Sequence, residues 1–110
     1  MNVLDNEFEH QDERRKITQL FTANVKQVNF YEAKKGAVLG NHYHKETTEY
    51  FFVVDGSINY NGTSFHGQGT TFVVYPQENH QITCMTDVKL MTFLTKPFSQ
   101  EEPDLWKKQN

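Results

Sequence analysis

Residues 40–56 contain three side chains whose types and spacing suit a transition-metal site. His42 and His44 stand one residue apart, and Glu49 follows a short polar stretch. Because alternate residues of a β-strand face the same side, the two imidazoles would point in one direction. Glu49 would then open the next strand close to them. Imidazole nitrogens and carboxylate oxygens are ligands for first-row transition metals, so this segment predicts most of a metal site.

A fourth ligand is expected from His80, which follows a strand-like run ending in a Pro turn. Three imidazoles and one carboxylate suit one divalent ion of zinc, manganese, iron, nickel or copper, and they leave positions open for water or substrate. Glu46 is a rival carboxylate, although we expect it in an exposed turn. The alternative is a β-barrel that simply buries these histidines as hydrogen-bonded core residues.

The elements that would hold these residues are predicted to be β-strands almost throughout. Val, Ile, Thr, Phe and Tyr dominate residues 17–98, and no segment shows sustained apolar spacing of 3.6 residues. Asn61-Gly62 between two short runs is typical of a hairpin turn. Only the segment from Ser99 onwards could form a short helix, with Ser99 as its N-cap. We expect strands at 17–21, 25–33, 37–44, 49–54, 57–60, 63–66, 71–74, 81–85 and 89–94. Many short strands with regular turns favour an all-β sandwich or barrel.

Two spaced motifs make the chain resemble the cupins. The first cupin motif is Gly, five residues, His-x-His, three or four residues, Glu, six residues and Gly, and the matching residues here are Gly36, His42, His44, Glu49 and Gly56. The second motif is Gly, ten intervening residues and His, and the matching residues here are Gly69 and His80. The resemblance implies a cupin double-stranded β-helix, a jelly-roll-like barrel, over residues 17–98. Residues 1–16 would then be an N-terminal segment and residues 99–110 a C-terminal tail.

The chain departs from the second motif in the turn before His80. Gln77 takes the position of a Gly, and Pro76 lies one place later than the Pro of the family. Cys84 replaces an Asn and is expected to be a small buried hydrophobic residue. These departures concern the shape of the turn more than the set of ligands.

A looser resemblance connects the chain with cupins that act on nucleotide-linked keto-sugars. "DERR" and "QVN" are similar to the D-x-R-G opening and Q-x-N strand of dehydrorhamnose epimerases, and "HYHK" is similar to a stretch of keto-hexose isomerases. "GNHYHK" also resembles the metal-binding cupin domain of some capsular-sugar enzymes. The resemblance implies an isomerase, epimerase or dehydratase acting on a carbohydrate-type small molecule. Leu39 stands where many of these families have an Arg that would grip a sugar or phosphate.

Four further residues are candidates for contacting that molecule. Gln27, Asn29 and Tyr31 share one face of a strand, and Phe51 lies two residues after the predicted ligand Glu49. If the face with Gln27, Asn29 and Tyr31 points inward, its polar groups could hydrogen-bond a hydroxylated ligand. If it points outward, the apolar residues between them fill the core and the polar groups meet water.

Several functions remain open at this level. The same site could belong to a non-catalytic cupin that binds a small molecule, or to an Fe(II)-dependent dioxygenase. It could also work without metal, with His42 or His44 as a base that Glu49 orients. The catalytic proton carrier is unknown; the candidates are a non-ligating histidine, Glu46, Tyr31 and a metal-bound water.

Composition limits the setting. A net charge of −3 with scattered basic residues argues against a nucleic-acid partner. There is no apolar run of the roughly 18 residues that a membrane span requires. A single cysteine and a polar, acidic N-terminus favour a cytoplasmic location. Both faces of 49–54 are apolar, so we expect a homodimer that covers the outer one.

Overall fold

The structure, a computed structural model, describes residues 1–108 and contains eleven β-strands and no helix within that range. The expectation of an all-β chain is therefore confirmed. Among the described residues no helix is long and apolar enough to cross a membrane. The strands are β1 (Asn2–Leu4), β2 (Phe8–Gln11), β3 (Lys16–Gln19), β4 (Gln27–Ala33), β5 (Val38–His42), β6 (Glu49–Asp55), β7 (Ser57–Tyr60), β8 (Ser64–Gly67), β9 (Thr71–Val74), β10 (His80–Cys84) and β11 (Val88–Leu94).

The strands form two main antiparallel sheets. One has five strands in the order β1-β9-β6-β11-β4, and the other has four in the order β5-β10-β7-β8. A separate hairpin consists of β2 and β3. The apolar core includes Phe51 and Val53 from the larger sheet together with Ile58 and Ile82 from the smaller one. This arrangement is a sandwich whose two inner faces supply the core.

The sequence of β6 shows why the two faces of the larger sheet differ. Phe51 and Val53 are 3% and 0% exposed, whereas Tyr50 and Phe52, which alternate with them, are only partly buried. Successive side chains of a strand point to opposite faces, so the alternation sends the first pair into the core. Phe51 therefore points into the core.

The hairpin between β7 and β8 follows the predicted turn. Asn61 has φ +52° and Gly62 has φ +71°, which are the positive values that a type I′ turn requires. Asn61 also ties the turn to β10, because its side-chain oxygen accepts the backbone N–H of Gln81 at 2.7 Å.

The expected C-terminal helix is wrong. Ser99 Oγ does accept the backbone N–H groups of Glu101 and Glu102, at 3.3 and 3.4 Å, as an N-cap would. Pro103 disfavours helical geometry at the residue before it, so the turn is not continued. Trp106 instead pairs with Tyr43 in an isolated antiparallel bridge. Strands β1 and β2, which the sequence did not predict, are short and largely exposed.

Candidate metal centre

The fold places His42 and His80 directly opposite each other on adjacent strands. His42 on β5 pairs with His80 on β10, and Gly40 pairs with Gln81, so Asn41 is left without a partner. This extra residue is a β-bulge, which re-aims the side chains beside it. Gly40 permits the close approach of the strands, because a Cβ there would lie 3.3 Å from the carbonyl oxygen of His80.

The four predicted ligands converge at one end of the core. One donor atom from each of His42, His44, Glu49 and His80 lies within 4.8 Å of all the others. His44 Nε2 lies 3.1 Å and His80 Nε2 3.5 Å from Glu49 Oε1. His44, Glu49 and His80 are buried, and His42 is half-buried on the side facing the cavity. The geometry is therefore compatible with a single ion held by three imidazoles and one carboxylate.

The hydrogen bonds of His44 fix its tautomer in a way that suits a metal ligand. Its Nδ1 lies 2.8 Å from the backbone carbonyl oxygen of Asp104, which can only accept, so Nδ1 carries a proton. In the neutral ring Nε2 then carries a lone pair, and that lone pair faces the carboxylate of Glu49. Such an arrangement needs a cation between the two groups or a second proton on the ring. Metal-binding histidines commonly donate their other N–H to a carbonyl in the same way.

The pKa values of the histidines follow from their burial and mutual proximity. Burial first, and then the charge of His44, lowers the pKa of His42 to about 4. Burial, together with the two other histidines, lowers the pKa of His80 to about 4. Burial alone would lower the pKa of His44, but the contacts with Glu49 and Asp104 raise it. Between pH 6.5 and pH 4, His42 and His80 therefore bind protons more readily in the unfolded chain than in the folded protein. The free energy of unfolding decreases as the pH falls through that window.

The turn before His80, which departs from the motif, is held by its backbone. Gln77 adopts φ +74°, a left-handed conformation that favours the Gly usual at this position. Its backbone N–H donates to the carbonyl oxygen of His44 at 2.6 Å. The turn is thus held against the His-x-His segment by the backbone, whatever side chain Gln77 carries.

A cavity of about 650 Å³ opens directly beside the four residues. Gln27, Asn29 and Tyr31 line it from β4, and Phe51 lines it from β6. Val28, by contrast, is 52% exposed. The polar residues of β4 therefore face the cavity. Of the two orientations that the sequence left open, the structure has the inward one. Their contact with a ligand remains a prediction.

The other candidates of the sequence occupy less central positions. The Glu46 side chain is 67% exposed and pairs with Lys96, so it is apart from the cluster as expected. Cys84 is buried in the core. Trp106 lies under the ammonium group of Lys45, which is 3.6 Å from the ring centroid.

Three residues around the site were not anticipated. Leu105 from the C-terminal segment and Thr92 from β11 line the cavity. Asp104 holds the chain between His44 and Glu49 through several hydrogen bonds. These contacts connect residues more than 40 positions apart, and no local pattern in the sequence predicts them.

Comparisons with known proteins show the family and the fold of the chain. A model of the family described as polysaccharide biosynthesis C-terminal domain matches residues 10–106. No curated protein is similar enough to count as a match.

Three solved structures show the likeness of fold. QdtA, a sugar 3,4-ketoisomerase from Thermoanaerobacterium thermosaccharolyticum in complex with TDP, has a TM-score of 0.72 at 13% identity, covering 94% of this chain and 85% of that one. The dTDP-4-dehydrorhamnose 3,5-epimerase from Sulfolobus tokodaii has a TM-score of 0.67 at 20% identity, covering 86% and 70%. The capsular polysaccharide assembling protein CapF from Staphylococcus aureus has a TM-score of 0.65 at 21% identity, covering 99% of this chain and 35% of its own. The chain thus spans about a third of CapF. The fold is the cupin double-stranded β-helix, as the motifs predicted.

Proposed function

The chain belongs to the polysaccharide biosynthesis C-terminal domain family, and from that premise we propose that it is a metal-dependent enzyme domain that isomerises, epimerises or dehydrates a carbohydrate. One observation carries the proposal. Three imidazoles and one carboxylate converge within 4.8 Å beside a cavity of about 650 Å³. That volume lies within the range of small-molecule sites.

His42, His44, Glu49 and His80 would hold one divalent transition metal, and their chemistry fits that role. The set combines one negative charge with three neutral nitrogen donors, which suits zinc, iron, manganese, nickel or copper. When bound, the ion would act as a Lewis acid on an oxygen of the substrate. The residues of the chain hold the ligands in place, exclude water from the apolar side of the cluster and orient the sugar.

Tyr31 is the side chain best placed to handle a proton on the β4 wall. Burial, and after it the negative charge of Glu49, raises the pKa of Tyr31 above its usual value. The phenol therefore keeps its proton at neutral pH and would donate a hydrogen bond to a developing oxyanion. Gln27 is less free, because its carbonyl oxygen accepts the backbone N–H of Phe98 at 2.8 Å and its amide donates to Asn29 at 3.1 Å.

The charges around the cavity support a sugar that carries its anionic part outside. Among the described residues that line the main cavity there is no Lys or Arg, and Leu39 lies in its wall. An adjoining cavity of about 430 Å³ shares His42 and Leu105 with it and contains Lys107. We propose that the sugar ring occupies the main cavity and that a linked phosphate extends past Lys107.

Exchange of hydrogen with solvent tests this function. The metal-loaded protein is incubated in D₂O with a 4-keto hexose that is linked to a nucleoside diphosphate. Mass spectrometry then measures the deuterium incorporated at the carbon atoms next to the carbonyl group. We expect exchange in the wild type and a loss of about 100-fold in Tyr31→Phe, the lower end for a general acid. Tyr75→Phe is the matched control, because Tyr75 is exposed and outside the cavity. Metal-loaded wild type that exchanges no hydrogen would refute the proposed reaction.

A metal-free acid–base site is the second candidate. His44 Nε2 and Glu49 Oε1 are 3.1 Å apart, which also suits an imidazolium–carboxylate pair. In that case the pair would carry out proton transfer alone. His42 and His80 would then be replaceable one at a time without loss of exchange, whereas a metal site requires them together.

We propose that a second copy of the chain covers the outer face of the larger sheet. Its register aligns Phe30, Met91 and Phe52 in one row across β4, β11 and β6. Phe30 is 52% exposed on an edge strand, where it also borders the main cavity, and an exposed apolar edge favours pairing with another chain. Light scattering should give twice the 12.9 kDa of one chain and a monomer for Phe30→Lys. Phe65→Lys, on an exposed residue of the other sheet, is the control, and a monomeric wild type would contradict the dimer.

A further inference from the structure

The segment between His44 and Glu49 is held by a residue from the far end of the chain. The carboxylate of Asp104 accepts the backbone N–H groups of Lys45, Glu46 and Thr47 at 2.9, 3.0 and 2.9 Å. It also accepts the hydroxyl of Thr47 at 2.8 Å. Thr47 is buried, so this contact closes the turn from the inside. One carboxylate therefore satisfies every backbone donor of the turn from residue 45 to 47.

The backbone of Asp104 acts on a predicted metal ligand at the same time. Its carbonyl oxygen accepts the Nδ1–H of His44 at 2.8 Å and so orients the ring. Asp104 adopts φ +50°, which lets its carbonyl oxygen and its carboxylate accept hydrogen bonds from the same loop. A single residue thus fixes the ring of His44 and the chain that leads to Glu49.

The residues beside Asp104 anchor it to the site. Trp106 and Tyr43 exchange backbone hydrogen bonds of 2.8 and 3.0 Å, and Tyr43 lies between His42 and His44. Leu105, between the two anchors, forms part of the cavity wall. The segment from residue 104 to 106 therefore contacts the His-x-His part of the first cupin motif along its whole length.

The carboxylate of Asp104 is suited to a permanent role. Burial alone would raise its pKa, but the hydrogen bonds from Lys45, Thr47 and Glu46 hold that pKa well below its usual range. The group stays ionised across the working pH range, and hydrogen bonds to a charged acceptor are stronger than neutral ones.

We propose that Asp104 is a positioning residue for the metal centre: its docking pre-organises His44 and Glu49, and metal binding in turn stabilises the docked C-terminal segment. The inference rests on the proposed metal site. Without the carboxylate, the turn must be ordered at the moment when the ion binds, which lowers affinity. Because coupling between two sites is reciprocal, the ion must favour the docked segment by the same factor.

Replacement of Asp104 by Asn tests the role with little change of shape. Asn tolerates a positive φ, so the backbone conformation is kept. One carboxylate oxygen accepts from Glu46 and Thr47 and the other from Lys45, so an amide NH₂ in either orientation would face donors. We expect the affinity for Zn²⁺, measured by competition with a chromophoric chelator, to fall about 10- to 100-fold, as for other groups that orient metal ligands. The stoichiometry should stay at one.

Glu102→Gln is the matched control, because it removes one negative charge from the same exposed segment and leaves the turn untouched. It should bind Zn²⁺ like the wild type. Thr47→Val removes the hydroxyl that donates to the Asp104 carboxylate and leaves Asp104 itself in place. It is the second variant, needed if Asp104→Asn fails to fold. It should lower affinity several-fold, and the double variant should lose less than the product of the two single effects.

Trp106, the only tryptophan, reports docking directly. Its indole N–H donates to Asp104 Oδ1 at 3.2 Å, so docking is measured in Thr47→Val, which keeps that contact. Without metal, the emission of Thr47→Val should shift to the red, and excess Zn²⁺ should move it back towards that of the wild type. Zn²⁺ affinity equal to that of the wild type in both Asp104→Asn and Thr47→Val would overturn the inference while leaving the metal site standing. A wild type that binds no Zn²⁺ would remove the metal site itself and this inference with it.

Discussion

Replacing Glu49 by Gln should lower the affinity for a divalent transition metal by more than about 100-fold, beyond the effect expected for groups that merely orient ligands. Glu49 is the one carboxylate of the four-residue cluster and lies within 3.5 Å of two imidazole nitrogens. Gln keeps the shape of the side chain but removes its charge. The remaining three neutral ligands would hold the ion far less tightly. Calorimetric titration of the metal-free protein measures the change.

Glu46→Gln is the control for that experiment. Glu46 lies three residues earlier and also carries one negative charge, but it is exposed and paired with Lys96. It should bind the metal as the wild type does. Loss of the metal in Glu46→Gln together with its retention in Glu49→Gln would mean that the wrong carboxylate has been assigned.

Replacing Gly56 by Ala should lower the free energy of unfolding by about 2 to 5 kcal/mol, from left-handed strain and overpacking together. Gly56 has φ +89°, and a Cβ there would lie 2.3 Å from the carbonyl oxygen of Asp87 and 2.6 Å from Thr86 Oγ1. The last Gly of the first cupin motif is therefore needed for the turn after β6 rather than for the chemistry. Urea denaturation of the metal-free protein measures the loss.

Gly36 provides a matched comparison, because it has φ +88° and no other atom lies within 4 Å of the position that a Cβ would take there. Gly36→Ala should lose only the cost of the backbone conformation, about 1 to 2 kcal/mol. Equal losses in the two variants would show that the contacts at Gly56 relax freely, contrary to this explanation.

The β-strands that build the core could be predicted because runs of β-branched and aromatic residues stand between turn residues. In β6, Phe51 and Val53 face the core while Tyr50 and Phe52 are only partly buried, but both faces are apolar, so the sequence indicates the strand and not its inner face. Strand β1 carries no such signal, since it is only three residues long and its pairing with β9 depends on residues about 70 positions away. The helix expected after Ser99 does not form because Pro103 stops the capped turn, and Trp106 beyond it pairs with the distant Tyr43.

The cluster of four candidate ligands could be predicted because the spacing of the two motifs is visible in the sequence. The two-residue spacing of His42 and His44 predicted a common direction, although β5 ends at His42, and Glu49 begins β6 as expected. Asp104 could not be found in this way. Its partners lie 57 to 60 residues earlier, and a single Asp after a Pro is common in exposed turns. Positioning residues of this kind depend on the tertiary structure and leave no periodic trace.

The metal centre is tested most directly by elemental analysis of tag-free wild-type protein beside His42→Ala and His80→Ala. We predict about one equivalent of a transition metal in the wild type and none in either variant, because each removes one of the four converging ligands. The metal found would select the assay, oxygen consumption for iron and sugar exchange for zinc, manganese or nickel. No metal in wild-type protein grown with an ample supply, and none taken up on titration, would contradict the metal centre and leave the His44–Glu49 pair as the acid–base site.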